Sequence, residues 1–276
     1  MTYNYYADFY YNSDMSKQAL LNVNQLAARK GAAELEFAVK KVHSLDASRG
    51  GPEGYVKAIE NRVEKIVLEE INKFQNEDNF LSTLSQQTNN SNVTWILKPI
   101  DGVSNFINGY PHFSLTLCSK IDDEIVTAVI IDPIRREEFS AYSGGSADLN
   151  NNKIRASKQT GLDGAIISFI KPNSKTPHFD FDSAYKELAN QKLDVRQSGC
   201  LSLDLAYIGS GRLDAIWSSD TNIIDMAAGS LIAQEGGSLV SNFEGDPKYI
   251  YGSNIIAASP KVYKSVLKSI KPYYKK

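Results

Sequence analysis

The stretch from Thr94 to Phe106 reads TWILKPIDGVSNF: an apolar strand, then an acid, a glycine and the start of a new segment. Many metal-and-phosphate sites begin this way, with a carboxylate at a strand end to hold a hard cation. Asp101 is the acid in that pattern. Lys98 stands three residues earlier, where a second carboxylate would make chemical sense. Two further acids suit the same chemistry. Asp225, in IIDMAAG, falls in the first turn of a predicted helix, and Glu60 lies at the edge of an apolar stripe on another. Each has a plainer reading as well. Asp101 and Asp225 could simply complement helix N-termini, and Glu60 could be a surface partner of Lys57 and Glu64 at helical spacing.

Such residues need elements to position them. Residues 16–42 read as a helix, with Leu20, Val23, Ala27 and Leu35 among its apolar positions. SRGGPEG then breaks the chain. Residues 56–74 form a second predicted helix, whose Val56, Ile59, Val63, Ile66, Val67 and Phe74 make one stripe. A polar loop, SQQTNNSN, follows, and then TWIL as a short buried strand. In HFSLTLCSKIDDEIVTAVIIDP, apolar alternation on both sides of Ile-Asp-Asp-Glu predicts a hairpin. Short strands are expected near 138–142 and 165–170, helices over 180–190 and 201–209, and a strand at RLDAIW. NIIDMAAGSLIAQEGG is punctuated as a helix, with Asn222 as N-cap and Gly236-Gly237 as its end. SNIIAAS and residues 260–271 give a last strand and helix. Helices at both ends with sheets between predict a layered α/β or α+β chain.

Composition narrows the function classes. The 276 residues carry a net charge of -2, which leaves no overall electrostatic footprint for nucleic acid, and no apolar run approaches a membrane span. The opening MTYNYYADFYYNSD has neither a basic start nor an apolar stretch, so it does not read as a secretory signal. It is rich in tyrosine, and reads as a loose extension over residues 1–15 or as an arm that docks on a partner. Cys118 and Cys200 are expected in the core of a protein kept in a reducing, cytoplasmic compartment. His43, His112 and His178 show no ligand spacing.

Several separate segments, in order, resemble the inositol monophosphatase family, especially its bacterial members. They are PIDGVSNF, RQSGCLSLDLAYIGSGRLDAIW, IIDMAAGSLIAQEGGSLVSNFEG and SNIIAASP, and the likeness runs from about residue 16. The resemblance implies a layered α-β-α-β-α sandwich of the sugar-phosphatase type. Residues 16–276 would be a single unit, with an N-terminal α+β part to about 150 and a C-terminal α/β part from about 151. It also implies a homodimer, and magnesium-dependent hydrolysis of small phosphate monoesters. There, acids on separate segments hold the metals, and one metal with a glutamate and a threonine activates water. Some bacterial relatives are linked to ribosomal-RNA transcription and processing as protein partners.

Carried over residue by residue, the resemblance goes badly for catalysis. The family's Asp-Pro-Ile/Leu-Asp-Gly-Thr is here Lys98-Pro99-Ile100-Asp101-Gly102-Val103. The first acid has become Lys98, and the threonine that orients water has become Val103. The upstream Glu-Glu pair falls at Thr83 and Leu84. The helix acid is Glu60 rather than aspartate, with Lys57 in place of the threonine just before it. Asp225 is kept, but follows Ile224 rather than tryptophan, and the ring-binding glutamate of inositol-specific members falls at Ser218. A cation ~4 Å from a metal site repels it by ~4 kcal/mol per unit charge at an effective dielectric near 20. Phosphate-monoester hydrolysis needs a barrier reduction of ~20 kcal/mol, which a site without its metals cannot supply.

The expectation is therefore an impaired or inactive member of the family. Asp101, Asp225 and Glu60 would be a vestigial metal set, with no magnesium required unless activity remains. Lys98 has two open roles. It could stand in for a metal, holding a phosphorylated small molecule together with the backbone N–H groups of Gly102 and Val103. Or it could pair with Asp101 or Asp225 and seal the pocket. Two rival readings are a protein-partner role and a true phosphatase with a reduced metal site.

Overall fold

The computed structural model describes residues 14–42, 51–171 and 178–275. Most of the tyrosine-rich start, and His43, lie outside the described residues. Among the described residues two long helices come first, α1 (Asp14–Val39) and α2 (Gly51–Phe74). The second begins earlier than its apolar stripe suggested: Gly51–Gly54, read as part of a chain break, form its first turn. Pro52 permits this, because its fixed φ suits a first turn, where its missing N–H has no helical partner to lose.

The central chain builds a mixed sheet from β1 (Asn79–Ser82), β2 (Gln86–Gln87), β3 (Val93–Asp101), β4 (Ser114–Ile121), β5 (Glu124–Asp132), β6 (Glu137–Tyr142), β7 (Ala147–Leu149) and β8 (Asn152–Lys153). Among the described residues its order is β2-β1-β3-β4-β5-β6-β7-β8, with β1 and β3 parallel and the rest antiparallel. The β4–β5 hairpin turns at Asp122-Asp123, with Asp122 left-handed at φ 51. A short helix, α3 (Val103–Ile107), follows β3.

A second sheet collects β9 (Ile166–Ile170), β10 (Asp194–Arg196), β11 (Ala215–Ser219), β12 (Leu239–Ser241) and β13 (Asn254–Ala258) in the order β10-β9-β11-β13-β12. Its helices are α4 (Phe181–Ala189), α5 (Leu201–Gly209), α6 (Ile223–Glu235) and α7 (Pro260–Ile270).

Strand alternation sorts the cores into layers. Trp95 and Leu97 of β3 pack with α1 and α2, whereas Ile96 faces Leu203, Ala227 and Leu231 of α5 and α6. On the second sheet, Ile216 joins α5 and α6, while Ala215 and Trp217 face Val262 and Val266 of α7. The result is α1/α2, sheet, α5/α6, sheet, α4/α7: the layered sandwich that the resemblance implied.

The TWIL strand is longer than expected, nine residues reaching Asp101, and its end is irregular. Pairing of β3 with β4 slips between Lys98 and Asp101, around Pro99, which cannot donate to a ladder. The slip changes which side chains face where. Leu97 and Ile100 both reach the α1/α2 core, so regular alternation fails between them. Lys98 and Asp101, three residues apart, then share the opposite face, where their side chains meet.

Candidate functional site

The bulge at the end of β3 brings Lys98 and Asp101 against the first turn of α6. Lys98 Nζ lies 2.6 Å from Asp101 Oδ1 and 2.7 Å from Asp225 Oδ1. One ammonium thus bridges two carboxylates from segments 124 residues apart in sequence, spending two of its three N–H donors on them.

Each partner is fixed from behind. Asp101 Oδ2 accepts from the Ser202 backbone N–H at 2.8 Å and from Ser202 Oγ at 2.7 Å, which ties the strand end to the start of α5. Asp225 closes a capping box: its Oδ2 accepts from the Asn222 N–H at 3.0 Å, and Asn222 Oδ1 accepts from the Ile224 N–H at 2.8 Å. The plain reading of Asp225 as a helix-start acid therefore holds alongside its ion pair. Cys200, expected in apolar surroundings, is buried as foreseen, but its Sγ lies 3.4 Å from Asp101 Oδ2. Burial, together with the Asp101 charge, pushes that thiol well up and keeps it protonated. Cys118 is the apolar core cysteine that the sequence suggested.

Burial acts first on both charged partners, and both resist it. Desolvation would lower the Lys98 pKa, but the Asp101 and Asp225 carboxylates outweigh it and hold the ammonium above the ordinary lysine range. Desolvation would raise Asp101, but the Lys98 charge and the hydrogen bonds from Lys98 and Ser202 hold its carboxyl below the usual range. The pair is therefore ionised across the whole neutral region.

Gly102 makes the turn behind Asp101 with φ 84, and a Cβ there would lie 3.0 Å from the His112 carbonyl oxygen. The position thus needs glycine both for its conformation and for space. Asp101, Gly102, Val103, Ser218, Asp225 and Lys98 line one cleft of about 390 Å³. Val103 offers no hydroxyl to it, and α3, only five residues long, adds little dipole to the backbone N–H groups at its start.

Thr83 and Glu60, both singled out in the sequence, do not line this cleft. Thr83 is exposed on the turn after β1. Glu60 is half-buried on α2, not a free surface acid. Desolvation raises its pKa, the Lys98 charge pulls it back and Glu64 raises it, so it stays above the usual glutamate range. Glu64, read only as a helical neighbour, is committed elsewhere: it accepts from Ser82 Oγ, and from Ser85 Oγ at 2.7 Å. Sequence spacing also missed Ser202, because nothing local connects it to a strand end 101 residues earlier.

The donor set does not fit magnesium. A magnesium ion wants oxygen ligands at about 2.0–2.1 Å in near-octahedral array. Here the two carboxylates that face each other are already joined by an ammonium placed between them. Among the described residues, no group of three or more His, Cys, Asp or Glu side chains is arranged to hold a metal.

Comparison with known proteins agrees with this architecture. The model of the inositol monophosphatase family matches residues 16–273. A Nus factor SuhB of Pseudomonas aeruginosa is 32% identical over 267 residues, covering 93% of this chain and 97% of that protein. An inositol-1-monophosphatase of Rhizobium meliloti is 31% identical over 255 residues, covering 91% and 96%. The crystal structure of the extragenic suppressor protein SuhB from Bartonella henselae is similar at a TM-score of 0.85 and 30% identity, covering 92% of this chain and 98% of that one.

Proposed function

This chain belongs to the inositol monophosphatase family, and we propose that it keeps the fold and the cleft but has given up magnesium-dependent hydrolysis of phosphate monoesters. One observation carries the reading: the Lys98 ammonium sits 2.6 and 2.7 Å from the two carboxylates that would otherwise be free to hold a cation. The rest of the cleft agrees with it. Val103 has no hydroxyl with which to orient water, and Thr83 stands outside the lining. Glu64 is occupied by two serines. Asp101 and Asp225 are tied to Lys98 and are not free to take a proton from water, and the reaction is among the slowest known without a catalyst.

The same geometry favours one of the two roles for Lys98. An ammonium already held between two carboxylates has little charge left over to attract a phosphate dianion. Lys98 therefore acts as a seal between Asp101 and Asp225 rather than as a stand-in for a metal. Turnover of inositol 1-phosphate, 3′-phosphoadenosine and an aryl phosphate, measured with and without magnesium, tests the proposal. The expected result is no rate above the uncatalysed reaction. Turnover that a chelator abolishes, and that Asp225→Asn also abolishes, restores the phosphatase reading.

The relatives named Nus factor support a second reading, a protein-partner role that uses the surface rather than the cleft. Affinity purification of the tagged chain at native level tests it. Co-purification of transcription factors that persists in Asp225→Asn supports the role, and recovery of the chain alone counts against it.

A further inference from the structure

The stretch from Pro260 to Lys276 holds six lysines and no acid. The net charge of the chain is -2, so taking those six positive charges away leaves the remainder at -8. Lys261, Lys264, Lys268 and Lys271 follow one another along α7 and into its C-cap, and all four are exposed. At 3.6 residues per turn they fall within an arc of about 80° and span about 15 Å. The opposite face of α7, Val262, Val266 and Ile270, is buried in the core of the second sheet, so packing holds the lysine face in place.

Folding alone does not account for this stripe. Like charges three or four residues apart on a helix repel one another. Lys261 also sets a cation in a first turn that has no acid, where the helix dipole favours one. Lysines on the other helices have partners: Lys30 and Lys73 meet Glu70, and Lys40 meets Glu36. Among the described residues Lys261, Lys264 and Lys268 enter no ion pair. Lys271 donates to the backbone carbonyl of Glu244 at 3.3 Å. The adjoining α4 is mixed, with Lys186 between Asp182 and Glu187, so the positive excess of this layer belongs to α7.

We propose that the lysine face of α7 docks this protein on an anionic lipid bilayer. The contact is peripheral, because the apolar face of α7 is committed to the core and no helix among the described residues is long and apolar enough to cross a membrane. Three features favour a bilayer over other polyanions. The α4/α7 layer is outermost, so a flat surface meets all four lysines at once. The negative remainder stands behind it across layers about 10 Å deep, beyond the ~8 Å screening length of physiological salt. A nucleic-acid strand longer than the stripe runs on to that negative remainder instead. Lysine also suits a diffuse surface field, since its ammonium is a point charge, whereas the arginine fork suits individual phosphates.

Co-sedimentation of the full chain with vesicles of phosphatidylcholine, alone or with about one-third phosphatidylglycerol, tests the proposal. The expected result is binding to the anionic vesicles only, weakening as salt rises. Lys264→Gln/Lys268→Gln should weaken it about twentyfold, because each lysine near such a surface contributes roughly fivefold. Lys40→Gln/Lys65→Gln, with the same change of net charge on α1 and α2, should leave it within about twofold. The Lys264→Gln/Lys268→Gln variant should melt no lower than the parent, since it relieves repulsion along α7. No binding to anionic vesicles at low salt overturns the proposal, as does equal weakening by the two double variants. A lower melting temperature in Lys264→Gln/Lys268→Gln overturns it too, by showing that the lysines serve the fold. So does saturable binding of a uridine oligonucleotide at a salt concentration where vesicles no longer bind.

Discussion

At the scale of single residues, the site depends on which charges are left when one is taken away. Lys98 offsets two carboxylates, one of them almost wholly buried. Lys98→Met should therefore cost about 3 kcal/mol at neutral pH, the usual penalty for stranding a buried partner. The pH dependence has a definite sign. Asp101 is held below the ordinary carboxylate range, so its contribution is present above that range and is lost as pH falls through its folded value. Lys98 is held above the ordinary ammonium range, so its contribution is present below that range and fades only as pH rises through its folded value. The stability gap between Lys98→Met and the parent, measured by urea denaturation, should be widest between about pH 5 and 10 and should narrow toward pH 3. A gap independent of pH would mean that Lys98 contributes packing rather than charge. At this scale the sequence was informative, since the identities of Lys98, Asp101 and Asp225 already implied a cation among acids. It could not reveal that Asp101 leans on Ser202 or that Glu64 is spent on Ser82 and Ser85, because those contacts join segments with no local relation.

At the scale of elements, the site is made by a bulge and a left-handed glycine. A regular β3 would send Lys98 and Asp101 to opposite faces; the slip around Pro99 turns both toward α6. Gly102 then reverses the chain at φ 84 with the His112 carbonyl close by. Gly102→Ala should destabilise the protein by about 1–3 kcal/mol through conformational strain, with further loss from the clash. Equilibrium denaturation measures this, and an alanine variant as stable as the parent would show that the turn can relax. The capped start of α6 was legible, since its signals lie within four residues of one another. The bulge was not, because register belongs to two strands, and the sequence of one does not state where its partner slips. The early start of α2 was missed for a related reason: glycines beside a proline read as a break, although a proline also suits a first helical turn.

For the whole molecule, α5 and α6 matter most, since both sheets pack against them. Neither sheet can lose its neighbour without exposing that shared layer. The two tryptophans report on opposite sides of it, Trp95 in the α1/α2 core and Trp217 in the α4/α7 core. Single-tryptophan variants, Trp95→Phe and Trp217→Phe, should therefore show coincident fluorescence transitions in urea. Separated midpoints would mean that the N-terminal and C-terminal parts unfold independently. Helices at both ends with sheets between implied a layered α/β or α+β chain, and the layer order came from the family resemblance alone. The strand order of the second sheet could not be read, since short strands with similar apolar patterns do not specify their neighbours. The Lys98 bridge has one more consequence, in the thermodynamics of linkage. The parent fold carries its counter-cation covalently, so its melting temperature should not change with magnesium concentration. Lys98→Asp would remove that built-in cation and set a third carboxylate beside Asp101 and Asp225, leaving a folded state that only an outside ion can neutralise. Its melting temperature should fall below that of the parent in chelator and climb steadily as magnesium is added, as expected when a ligand binds only the native state. A reversion toward the family pattern would thus turn an autonomous fold into a conditional one, stable only where magnesium is plentiful, whether or not a phosphate is ever cleaved.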